Sequence, residues 1–91
     1  MSYTNDVKIQ FNDSELEFIW MGDISESNYY MIYENEKFIK WTVYIMNSDE
    51  DVWMELYNDE LCIKTYETNK NNLQYDFEVV FDIFKTIKKV K

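Results

Sequence analysis

With 91 residues, 46% of them hydrophobic and 19% aromatic, the chain is long enough for one packed core and too short for two, so a single domain over residues 1–91 is expected. A net charge of −9 with no arginine and no histidine argues against direct binding to nucleic acid or an anionic membrane, and removes the imidazole that most acid–base, nucleophilic and zinc sites use. No apolar run approaches the ~20 residues of a membrane-spanning helix, Met1 to Gln10 holds no secretory-type apolar core, and the lone cysteine cannot form an internal disulfide, so a reducing, cytoplasmic setting is expected.

Val7, Ile9 and Phe11 alternate with Lys8 and Gln10 at the period of a half-buried strand, and Asn12-Asp13 supplies a turn. The return strand, Glu15 to Trp20, sets Leu16, Phe18 and Trp20 on one face and Glu15 and Glu17 on the other. Met21-Gly22-Asp23 contains the only glycine and reads as the next turn. Asn28 to Tyr33 and Lys37 to Met46 are rich in aromatic and β-branched residues and flank the polar turn Glu34-Asn35-Glu36. In the longer of these strands Ile39, Trp41, Val43 and Ile45 form an apolar face suited to the core, with Phe38, Lys40, Thr42, Tyr44 and Met46 opposite. After the acid-rich turn Asn47 to Asp51, Val52 to Tyr57 and Leu61 to Tyr66 give two more strands joined at Asn58-Asp59.

From Asn71 the period lengthens: Leu73, Phe77, Val80, Phe81, Phe84 and Ile87 recur every three or four residues, as on an amphipathic helix. Asn71 or Asn72 could cap it, Asp76 falls in an early turn, and Lys85, Lys88, Lys89 and Lys91 crowd its C-terminal end, where cations complement the macrodipole. The expected fold class is therefore α+β: an antiparallel β-meander of about six strands with one C-terminal amphipathic helix packed on one face.

Little in the chain supports catalysis. Cys62 lies inside Leu61-Cys62-Ile63 with no base to activate it, and reads as an inert strand residue. Ser48-Asp49-Glu50-Asp51 spaces carboxylates like part of a calcium loop but lacks the loop's glycine and an entering helix, so it reads as a solvated turn. One glycine cannot build a phosphate-binding loop. No enzyme activity, cofactor or metal is expected.

What stands out is acid beside aromatic. Residues 1–70 carry 15 acids against 5 lysines, whereas residues 71–91 carry 3 acids against 4 lysines, so the negative field belongs to the strands. Glu15, Glu17, Glu34, Glu36, Asp49, Glu50, Asp51, Asp59 and Glu60 fall at or beside turns, where rows of carboxylates can imitate a phosphate backbone. Tyr30, Trp53 and Tyr57 lie among them as candidate anchors, tyrosine and tryptophan being the types in which interfaces concentrate binding energy. Abundant Lys, Asn, Ile and Tyr, with no Ala or Pro, are the codon signature of an AT-rich genome.

In size and charge the chain resembles the small proteins that phages direct against host defence nucleases (anti-CRISPR or anti-restriction proteins) and the immunity proteins that neutralise nuclease toxins. That resemblance implies an inhibitor bound to a basic, nucleic-acid-binding surface of a partner protein, such as a nuclease. The alternative reading is a structural or assembly subunit, forming a homodimer or completing a larger complex.

Overall fold

The computed structural model describes residues 6–11, 13–24, 27–47, 52–68, 73 and 76–90. Six strands, β1 (Val7–Phe11), β2 (Ser14–Ile24), β3 (Ser27–Glu34), β4 (Lys37–Asn47), β5 (Val52–Asn58) and β6 (Leu61–Thr68), precede one helix, α1 (Phe77–Val90). The strands pair antiparallel in the order β1-β2-β3-β4-β5-β6, so the expected α+β meander is present, with each strand beside its sequence neighbour.

Alternation decides which side chains face the helix. Leu16 and Phe18 from β2, Tyr30 and Ile32 from β3, Trp41, Val43 and Ile45 from β4, and Met54 and Leu56 from β5 are buried together with Val79, Val80, Ile83 and Ile87 of α1. Three departures from regular pairing keep this face continuous. Ile39 and Lys40 form a bulge on β4, with Lys40 at φ 65°, and Ile39 packs against the core. Ile63 bulges from β6 and also packs inward.

The third departure corrects the expected turn at Met21-Gly22-Asp23. β2 runs on through these residues to Ile24, and the register shifts between Trp20 and Gly22, where Gly22 takes a φ of 112°. The glycine serves a bulge inside a strand, with Met21 thrown outward to 52% exposure. The β2–β3 connection accordingly lies later, at residues 25–26, outside the described residues.

The β3–β4 turn has two central residues, Asn35 and Glu36, both at positive φ (50° and 69°), which is the signature of a type I′ hairpin. Asn35 also ties the turn to β2. Its N–H donates to the Glu15 carbonyl and its Oδ1 accepts the Glu15 N–H, each at 2.9 Å. Glu36, by contrast, holds a left-handed conformation that costs a side-chain-bearing residue about 1 kcal/mol or more. Glu36→Gly is expected to raise stability by about 1 kcal/mol, read as a higher denaturant midpoint; an unchanged or lower midpoint would contradict the I′ reading.

The helix departs from the sequence reading at its start and in its phase. Its first residue is Phe77, and the cap is Asp76: the Val79 N–H donates to Asp76 Oδ1 (3.3 Å) and the Val80 N–H to the Asp76 carbonyl (3.1 Å). Asn71 and Asn72, expected as caps, and Lys91 lie outside the described residues. The side turned to the sheet is centred on Val80, Ile83 and Ile87, whereas Phe77 and Phe81 are 65% and 49% exposed. β-branched aliphatics lie flat against a sheet, and the phenylalanines flank them; the ring of Phe84 stacks on Phe11 of β1 at 4.1 Å, and Phe81 meets Phe11 edge-on at 5.9 Å.

Polar contacts fix the two sides of the helix. On one side Asp82 accepts hydrogen bonds from Lys64 Nζ (2.7 Å) and the Tyr66 hydroxyl (2.6 Å), while Thr68 bonds to Asp76. Donation from Lys64, then from Tyr66, holds the Asp82 carboxyl below its ordinary range; burial, then the bond to Asp82, pushes the Tyr66 phenol up. On the other side Lys88, in the last turn, donates to Glu34 at the end of β3. Among the described residues no helix is long and apolar enough to cross a membrane.

Candidate functional site

Because α1 covers one side of the sheet, the alternation that fills the core also builds a second face. In strands, the residues between core positions must point the other way. Here they are Glu17, Ile19 and Met21 from β2, Tyr29, Met31 and Tyr33 from β3, Phe38, Thr42, Tyr44 and Met46 from β4, and Trp53, Glu55 and Tyr57 from β5. An ordinary solvated sheet face would carry polar residues at these positions. This one is mostly aromatic and aliphatic; apart from the exposed Met21 and Phe38 and the buried Thr42, its side chains are half-buried.

Cross-strand pairing gives the face its order. Tyr29 lies opposite Tyr44, and Tyr44 opposite Glu55, so one lane crosses β3, β4 and β5. The rings of Tyr29 and Tyr44 are 4.8 Å apart between centroids, Tyr44 and Tyr57 meet near edge-on at 5.3 Å, and Tyr33 leans on Phe38 at 5.6 Å. Glu55 sits within this cluster and accepts a hydrogen bond from the Tyr57 hydroxyl at 3.1 Å. That bond, aided by burial and by the carboxylate's charge, raises the Tyr57 phenol, and burial followed by the neighbouring Tyr44 raises Tyr29.

The centre of the face is a depression of about 590 Å³, lined by Tyr29, Tyr44, Glu55 and Tyr57 and closed toward one end by Lys40, Asp59 and Glu60. Three carboxylates therefore line it against one ammonium. Asp59 takes a φ of 57° in the β5–β6 turn, and its N–H donates to the Lys40 carbonyl at 2.8 Å, which holds the acidic turn against the rim.

The candidate residues of the sequence divide clearly on this geometry. Trp53 and Tyr57 lie on the open face, with Glu17 on the same face and Asp59 and Glu60 at the rim. Glu36 is exposed in the β3–β4 turn, and Glu15 is half-buried beside Lys8, 3.9 Å away. Two are corrected. Tyr30 is 0% exposed in the core, its phenol pushed up to about 12 chiefly by burial, so it cannot anchor a partner. Glu34 is 9% exposed under the helix and paired with Lys88, so it offers no surface charge. Asp49, Glu50 and Asp51 lie outside the described residues.

Sequence reasoning overlooked Glu55, Tyr44 and Phe38 as site residues. The signal was present in the alternation Trp53-Glu55-Tyr57 and in the aromatic content of the outward positions of β4, which a merely solvated face does not require. Cys62 is exposed on β6, with no partner thiol in the chain. Among the described residues no group of three or more acids or cysteines converges to hold a metal ion. Comparison with protein-family models, with curated proteins and with solved structures finds no match to this chain.

Proposed function

We propose that the protein is a non-enzymatic inhibitor that occupies a basic, nucleic-acid-binding surface of a partner protein, and that the open sheet face is the part that binds. One observation carries this reading: a broad aromatic face, uncovered by the helix, with carboxylates at its centre and rim in a chain of net charge −9. Buried aromatic anchors inside a polar rim are the anatomy of a protein interface. The charge of the rim selects a cationic partner and speeds encounter with it.

The same charge disfavours the alternative of face-to-face self-association, because a second copy would bring Glu17, Glu55, Asp59 and Glu60 against their own kind. A basic protein meets no such repulsion.

The test is capture with the tagged chain, identification of the captured protein by mass spectrometry, and measurement of that protein's nucleic-acid binding with the chain added back. Stoichiometric competition, weakened about tenfold by Trp53→Ala and slowed in association by added salt, is the expected result. A captured protein that binds the Trp53→Ala variant equally well and keeps its nucleic acid would overturn the reading. So would a chain that sediments as a dimer in which Trp53 is protected from solvent quenching.

A further inference from the structure

Glu55 is a carboxylate set among rings. Tyr44 lies directly opposite it on β4, Thr65 opposite it on β6, and Trp53 and Tyr57 flank it two residues away on its own strand. Cβ atoms directly opposite stand about 5 Å apart, and same-face neighbours along a strand about 6.8 Å, so the acid has aromatic neighbours across the sheet and on both sides along its own strand. None of the three ion pairs formed among the described residues involves Glu55; its hydrogen-bond partner is the Tyr57 hydroxyl. Lys40, the only lysine lining the depression, forms none of these ion pairs either; its carbonyl accepts the Asp59 N–H, and it lies on the β4 bulge at the end of the depression away from Tyr44 in sequence.

We infer that this centre recognises a guanidinium, the side chain of an arginine presented by the partner. This rests on the binding reading above and names the group that the open face reads. A half-buried carboxylate among rings is poorly served by water, and a cation placed there gains both the charge and the negative faces of the aromatics. Guanidinium suits the place better than ammonium. It is planar and weakly hydrated, so it can stack on a tyrosine or tryptophan ring while its N–H fork bonds the carboxylate edge. The Tyr57 hydroxyl takes up part of one oxygen and fixes the carboxylate's rotation, leaving acceptor capacity on both oxygens. Arginine is also the residue with which proteins most often grip phosphate, so a surface that binds nucleic acid supplies it.

The experiment is an NMR titration of the whole chain with three capped tripeptides, Gly-Arg-Gly, Gly-Lys-Gly and Gly-citrulline-Gly, at fixed ionic strength. Saturable shifts confined to Tyr44, Trp53, Glu55 and Tyr57 are expected with the arginine peptide, at least fivefold tighter than with lysine, and none with citrulline. Glu55→Gln should lose at least fivefold for arginine while Glu17→Gln, on the same face, leaves it unchanged. Gln keeps an oxygen for the Tyr57 hydroxyl, so the variant is expected to fold, and its circular dichroism checks that. Equal response to arginine and lysine, shifts spread over all the acids, or indifference to Glu55→Gln would each overturn the guanidinium assignment. With the captured partner in hand the two ideas separate: a partner that tolerates Glu55→Gln but not Trp53→Ala removes this inference alone, and one that tolerates both removes the binding face as well.

Discussion

Ile83→Ala is expected to destabilise the protein by about 3–4 kcal/mol, a large share of the roughly 5–14 kcal/mol that a chain of this size has to lose. Ile83 is 0% exposed and sits at the middle of the helical stripe that closes the core. Truncation removes three buried carbons and leaves a cavity that the sheet beneath, fixed by its hydrogen bonds, cannot collapse to fill. The controls lie one helical flank away. Phe77→Ala, at 65% exposure, should cost under about 0.5 kcal/mol. Phe81→Ala should cost about 1 kcal/mol, because its ring still meets Phe11 edge-on. Chemical denaturation of the three variants measures the order; a Phe77 variant less stable than the Ile83 variant would mean that the helix docks on its other side.

Lys88→Met is expected to cost about 2 kcal/mol, although the lysine itself is on the surface. The cost arises at its partner: the Glu34 side chain is 9% exposed, against 38% for Lys88, so removing the ammonium takes the opposite charge from a carboxylate where water reaches it poorly. Glu34→Gln in the same background should recover roughly half of the loss, since a neutral amide tolerates the site better than a charge whose ammonium has been removed. A double-mutant cycle on the two positions reads the coupling directly. Coupling near zero would show that the pair does not hold the end of the helix to the sheet.

The contrast between these two sites explains how much was legible in the amino-acid order. Strand existence and side-chain phase follow from period-two alternation, a local property, and so β1, β3, β4 and β5 were readable almost to the residue. Glu34 was not. It continues the phase of Tyr30 and Ile32 into the turn, and the arrival of Lys88, 54 residues later, supplies a cation that no local pattern announces. Tyr29 and Tyr30 are adjacent tyrosines that must point to opposite faces, and nothing local says which enters the core. The partner strands decide, by placing Tyr30 between Trp20 and Val43.

Gly22 misled for a different reason. A positive φ serves a turn and a bulge equally well, so glycine marks unusual backbone without saying whether the strand ends. On the helix, three- and four-residue spacing puts Phe77 and Phe81 in the apolar stripe with Val80, Phe84 and Ile87, and spacing alone does not say where the stripe is centred. The flatter valine and isoleucine ridge is what the sheet accepts, and the rings settle at its margin. The open face is legible in part: Trp53 and Tyr57 stand out as anchors, whereas Glu55 is not singled out, because its surroundings come from β4 and β6 as well as its own strand.

The strand order has a consequence for how the chain is assembled. Every pairing in the sheet joins neighbours in sequence, so each closes a short loop at low entropic cost and none waits for a distant segment. The helix is the exception: through Phe84 on Phe11 and Lys88 on Glu34 it returns from the last residues to the first strands. It therefore acts as the latch of the molecule, turning a row of successive hairpins into a closed, cooperative unit and leaving the opposite side of that row free.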